Sequence, residues 1–171
     1  MGSRFDGGEF SEELTGMPAT QRMAISEVDG GAYKAVLGLQ KYVNEGVVDA
    51  LLRAIVDIRA SQINHCAWCL DMHVAEARDA GAPQRQIDLI AAWREAPALF
   101  DDRERAALAL TEQVTLISRQ GVSDEVWAQV RAVFTEQETL ELLMTIATIN
   151  VWNRMNVAVR ADLPTQPTVA G

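Results

Sequence analysis

An all-α domain is the fold this sequence predicts, and three observations carry the prediction. Apolar residues recur at helical spacing along most of the chain. No segment shows the two-residue alternation of a half-buried strand. The breaks between periodic stretches, Gly81-Ala82-Pro83 and Gly121-Val122-Ser123, are those that stop one helix and start another. With 171 residues, 49% of them apolar and 23% charged, the chain has ordinary globular composition and the size of one domain. About seven helices are expected.

The stretch 1–20 contains Gly2, Gly7, Gly8 and Gly16 and reads as a flexible N-terminal arm, leaving 21–163 as the helical domain. Ser26 to Gly31 is turn-like, and Ala32 to Val43 forms a short amphipathic helix. A longer one runs from about Gly46 to Gln62, where Val47, Leu51, Leu52, Ile55, Val56 and Ile58 make a broad apolar stripe. Asn64 or His65 interrupts it, and a cysteine-bearing helix follows to Ala80. Gly81 supplies its stop and Pro83 opens the next helix, to Trp93. Asp101 and Asp102 form the acidic first turn of a helix reaching Ser118. Ser123 caps a helix whose Val126, Val130 and Val133 face inward. The last helix, Thr135 to about Arg160, is apolar on several sides, which implies burial against more than one neighbour, a partner subunit among them. Residues 164–171, with Pro164 and Pro167, read as an extended tail.

A net charge of −9 argues against nucleic acid, which wants a basic face. No apolar run approaches the roughly 18–20 residues a membrane span needs. Met1 to Gly16 lacks a signal-peptide core, and two cysteines are too few for a disulfide-stapled secreted scaffold. The expected compartment is the cytoplasm.

Chemistry concentrates in His65-Cys66-Ala67-Trp68-Cys69-Leu70-Asp71-Met72-His73. In a helix, Cys66, Cys69 and His73 project within about a 60° sector. A helix start favours thiolate, paired thiols lower each other's pKa, and an imidazole one turn away can move a proton. Cys69 then reads as the nucleophile that meets an oxidant, and Cys66 as the resolving thiol that closes a disulfide over the sulfenate. That reading requires the two sulfurs to be exposed, near enough to bond, and backed by the imidazole. Two readings stand beside it: half of a zinc site completed by His73, His65 and carboxylates, or two inert core cysteines with a satisfied histidine. No cofactor and no metal are expected.

Arg59 to His73 closely resembles the CxxCxxxH signature of the alkylhydroperoxidase D and carboxymuconolactone decarboxylase superfamily, and Ile146 to Arg154 resembles the late-helix IxxINxWNR pattern of its alkylhydroperoxidase-like branch. The resemblance covers about residues 20 to 160. It implies an all-helical antioxidant fold assembled as a homo-oligomer, a trimer or hexamer. It also implies reduction of alkyl hydroperoxides by the Cys66–Cys69 pair, recycled by a dithiol or a lipoylated protein.

Two positions depart from the family pattern. The relay glutamate expected twelve residues before the first cysteine is Ala54 here, which cannot carry a proton. Asp57, one turn further on nearly the same face, is the candidate substitute, or else a solvent-facing partner of an arginine; Glu45 and Glu76 are less favourably placed. His65 stands where a small residue is usual and is expected to face solvent. Trp68 is expected to form an aromatic wall or a subunit contact, and Asn150, Asn153 and Arg154 to be structural. The leading function is a thiol-dependent alkyl hydroperoxide reductase. A non-enzymatic redox sensor or scaffold is the alternative. A carboxymuconolactone-type decarboxylase is disfavoured, because members with that activity generally lack the cysteine pair.

Overall fold

A computed structural model describes residues 20–163; the N-terminal arm and the proline-containing tail lie outside the described residues, except Thr20. The described chain is all-α. Seven helices have six or more residues and two are single turns, with no strand among the described residues.

After the turn α1 (Ile25–Val28), α2 (Gly30–Asn44) starts at Asp29, whose carboxylate accepts from Gly31 N at 2.7 Å and Ala32 N at 3.3 Å. Those bonds satisfy two of the amides a helix start leaves unpaired. Then α3 (Ala50–Asn64) begins four residues later than its apolar pattern suggests, capped by Asp49. The difference has a tertiary cause. Glu141, on the last helix, inserts its buried carboxylate under the preceding loop and accepts from Val47 N at 2.6 Å and Val48 N at 3.1 Å. Gly46 makes room for it, since a Cβ there would lie 2.4 Å from Glu141 Oε2.

Helix α3 is the central element, packed against α4 (Ala67–Asp79), α6 (Asp102–Thr115) and α9 (Glu136–Val159). Its Ile55 and Ile58 join Ile90, Phe100, Leu108, Leu142 and Ile146 in the main core, each fully buried aliphatic side chain stabilising by about 1.5–3 kcal/mol. Between α4 and α6, the chain makes α5 (Gln84–Leu89) and two 3₁₀ turns, Ile90–Glu95 and Pro97–Leu99, because the backbone leaves helical values at Ala92. Leu116 likewise ends α6 before Ser118, leaving the single turn α7 (Ile117–Gln120). Ser123 caps α8 (Asp124–Val133), and Thr135 with Glu138 forms a capping box at the start of α9.

Two features hold the region around the cysteines. Asn64 Nδ2 donates to Asn150 Oδ1 at 2.9 Å and Asn153 Oδ1 at 2.8 Å, Asn153 donates to Ser61 Oγ, and Arg154 bonds Asn150. These side chains fasten the end of α3 to α9, as the structural reading expects. The two ends of the described chain also meet: Arg22 N donates to Val159 O at 2.7 Å, Arg22 Nη1 to Ala158 O at 3.0 Å, and Asp162 N to Gln21 Oε1 at 3.2 Å.

Candidate active site

The site is built at the junction of α3 and α4. His65 adopts a left-handed conformation, φ 56°, and terminates α3 with its side chain exposed, as expected. Cys66 follows at φ −89°, ψ 94°, as the N-cap of α4 rather than inside it, and its Sγ accepts from Cys69 N at 3.4 Å. The shared helical face foreseen for both cysteines is therefore corrected: one is the cap and the other lies in the first turn. That arrangement still unites them. Cys66 and Cys69 form a disulfide with a Cα–Cα distance of 5.4 Å.

Exposure is the second correction. Each cysteine is only 1% exposed, in a cluster with Val36, Ala60, Ile149 and Trp152. The reason is α9, which lies across the pair and was not visible from the local sequence. Asn156 Nδ2 lies 3.5 Å from Cys69 Sγ. Cys66 alone borders a surface hollow, of about 510 Å³, shared with His65, Trp68 and Arg160. Trp68 is a wall residue, as expected. Bonded to each other, the sulfurs offer no thiolate ligand in this disulfide form.

His73, one turn after Cys69, is buried at 1% exposure. Its Nδ1 lies 2.7 Å from Glu76 Oε2 and 3.6 Å from Asp57 Oδ2. Asp57 thus reaches the imidazole directly, as the candidate relay group. Glu76 is a correction, since it is the nearer partner despite being judged less favourably placed. Its position three residues after His73 on one helix was a signal available in the sequence. Nε2 of His73 is buried and finds no hydrogen-bond partner among the described residues.

The charges around this ring are strongly perturbed. Burial pushes the Asp57 carboxyl up to about 7, against the pull of His73 and Arg53. Burial also works to lower the His73 pKa, but Asp57 and Glu76 more than offset it and leave it above its ordinary value. The hydrogen bond from His73 holds Glu76 below the usual carboxylate range. Asp57 and Glu76 border a groove of about 370 Å³ that also contains Arg53, Asp79 and Ala54. The alanine thus leaves space beside two carboxylates that already serve the histidine. Asp57, His73 and Glu76 bring three potential metal donors within 4.8 Å of one another, and the hydrogen bond between His73 and Glu76 links the buried ring to a half-exposed carboxylate.

Residues 31–113 match the carboxymuconolactone decarboxylase family. The uncharacterized protein YdfG of Bacillus subtilis is 34% identical over 139 residues, which is 81% of this chain and 94% of YdfG. The chain belongs to the carboxymuconolactone decarboxylase family, in its AhpD-like branch. A family member of unknown function from Agrobacterium tumefaciens, put forward as an antioxidant defence protein AhpD, is similar in structure, with a TM-score of 0.83 and 35% identity over 86% of this chain and all of its own. The debrominase Bmp8 has the same fold, with a TM-score of 0.67 and 19% identity over 78% of this chain and 71% of its own. No helix among the described residues is long and apolar enough to cross a membrane.

Proposed function

We propose that the protein is a thiol-dependent hydroperoxide reductase. The observation carrying this reading is a disulfide-bonded Cys66–Cys69 pair one helical turn from a buried histidine whose Nε2 is unpartnered and whose Nδ1 is held by carboxylates leading to solvent. In the reduced protein, the Cys69 thiol would be the natural partner of that Nε2.

The cycle starts with transfer of the Cys69 proton to His73 Nε2, while Glu76 and Asp57 stabilise the imidazolium. The thiolate attacks the terminal oxygen of the hydroperoxide. An S–O bond forms, the O–O bond breaks, and the leaving alkoxide takes the proton back from His73 and departs as an alcohol. Cys66 then attacks the Cys69 sulfenic acid, expelling water and forming the disulfide. A dithiol or lipoylated protein returns two electrons by exchange at Cys66, the cysteine bordering a surface hollow. Assembly as a trimer or hexamer is part of the same proposal, and analytical ultracentrifugation reads it.

The deciding assay is consumption of dihydrolipoamide driven by an alkyl hydroperoxide. Many turnovers per protein support the reading, and oxidation of one dithiol equivalent followed by arrest overturns it. The sealing of both sulfurs favours that second outcome as an alternative: a redox sensor or scaffold whose pair oxidises once.

A further inference from the structure

Beside the disulfide, residues 21–26, α2, α4 and the end of α9 border a second hollow, of about 340 Å³, within the usual range for small-molecule sites. Its walls are Tyr33, Leu37, Trp68, Met72, Trp152 and Val159. The wall is preorganised: Tyr33 meets Trp152 edge-on with ring centroids 5.4 Å apart, and Trp152 Nε1 donates to Gln40 Oε1 at 3.1 Å. Aromatic edges and faces arranged in this way favour a flat or branched apolar body. The polar groups on the wall include the amides Gln40, Asn44 and Asn156, and among the described residues its only charged group is Glu76, an anion, with no Lys or Arg. Asn156 joins the hollow to the chemistry, because its Nδ2 also lies against Cys69 Sγ at 3.5 Å.

We infer that this hollow binds the organic part of the substrate and selects neutral, aromatic-sized hydroperoxides against hydroperoxides that carry a carboxylate. The inference rests on the peroxide-reductase reading for its reaction, but the hollow's preference is separate from turnover. A carboxylate placed there would lose its hydration without meeting a cation and would face Glu76, whose pKa is held low by His73. Hydrogen peroxide has no organic part to place against these walls and so gains no binding energy from them.

Two measurements test this together. The first compares kcat/KM for cumene hydroperoxide, its para-carboxylate and hydrogen peroxide, with dihydrolipoamide as reductant. Cumene hydroperoxide is expected to exceed its para-carboxylate at least tenfold, with hydrogen peroxide lower still. The second follows quenching of tryptophan fluorescence on titration with cumyl alcohol and with its para-carboxylate, since Trp68 and Trp152 line the wall. Saturable binding of the neutral alcohol alone is expected. In Leu37→Arg, which adds a cation at a partly exposed wall position, the neutral-to-acid ratio should fall about tenfold. Equal kcat/KM and equal binding for the neutral and acidic compounds, unmoved by Leu37→Arg, would overturn the inference while leaving peroxide reduction standing. Selective alcohol binding without any turnover would support the hollow's preference and overturn the reductase reading instead.

Discussion

Replacing Asp57 by asparagine separates what this carboxylate does for the fold from what it does for the reaction. The side chain is 6% exposed, and its pKa is raised from 3.8 to about 7. The native protein therefore binds this proton more tightly than the unfolded chain, and its stability falls as pH rises from about 4 to 7. At pH 8, holding the group ionised costs the folded state about 4 kcal/mol. Asparagine has nearly the same shape and no charge, so Asp57→Asn should be more stable than the wild type at pH 8. About 4 kcal/mol is the ceiling, and the attraction to His73 is already included in it. For a chain of this size that ceiling corresponds to a Tm rise of roughly 8–16 °C. At pH 4 the two proteins should melt together, since the wild-type carboxyl is then protonated. His73 contributes in the same direction over a higher window: its raised pKa gives stability that is present below about 6.5 and lost as pH climbs through the folded value. Peroxidase activity should move the opposite way, falling at least tenfold above pH 7, where the ionised carboxylate supports the imidazolium. Thermal melts at pH 4, 6 and 8, paired with the dithiol-coupled rate, read both effects. If Asp57→Asn melts lower than wild type at pH 8, the buried-charge argument is wrong.

Other substitutions probe the rest of the site. Cys69→Ser should abolish peroxide reduction, whereas Cys66→Ser should permit one oxidation to a sulfenate, trapped with dimedone and seen by mass spectrometry, but no recycling. Glu76→Gln removes the charged partner 2.7 Å from His73 Nδ1; the imidazole pKa should fall from its raised position, visible by NMR, with a rate loss of about ten- to a hundredfold at neutral pH. Ala54→Glu should give no gain in rate and a lower Tm, because a third carboxylate would enter a buried position beside Asp57 and Glu76. Gly46→Ala should destabilise by about 1–3 kcal/mol in urea melts, since its methyl group displaces the Glu141 carboxylate from the Val47 and Val48 amides.

Local chemistry made much of the fold legible. Ser123 and Thr135 cap where their side chains say they should, and Gly81, at φ +93°, breaks the chain before Pro83. Cys69 and the histidine one turn on could be named because spacing within a helix fixes who shares a face, whereas Cys66 caps that helix and Asp57 comes from the preceding one. Contacts between distant segments were not legible. Glu141 lies more than ninety residues from the loop it anchors, so the apolar stripe alone starts α3 too early. The lid that α9 forms over the sulfurs is equally nonlocal, and an exposed dithiol was a reasonable but mistaken expectation from the motif. Glu76 differs: its signal is local, three residues after His73 on the same helix, and it joins Asp57 of α3 at the imidazole.

The pairing of residues 21 and 22 with residues 158, 159 and 162 has a practical consequence. These strands of chain clasp each other beside the hollow that holds Trp152 and Asn156. Changes that reach residues 21–22 or 158–162 therefore act beside that hollow. A preparation altered there would report the behaviour of a loosened clasp, and rates gathered from differently tagged versions should be compared only after the appendages are removed.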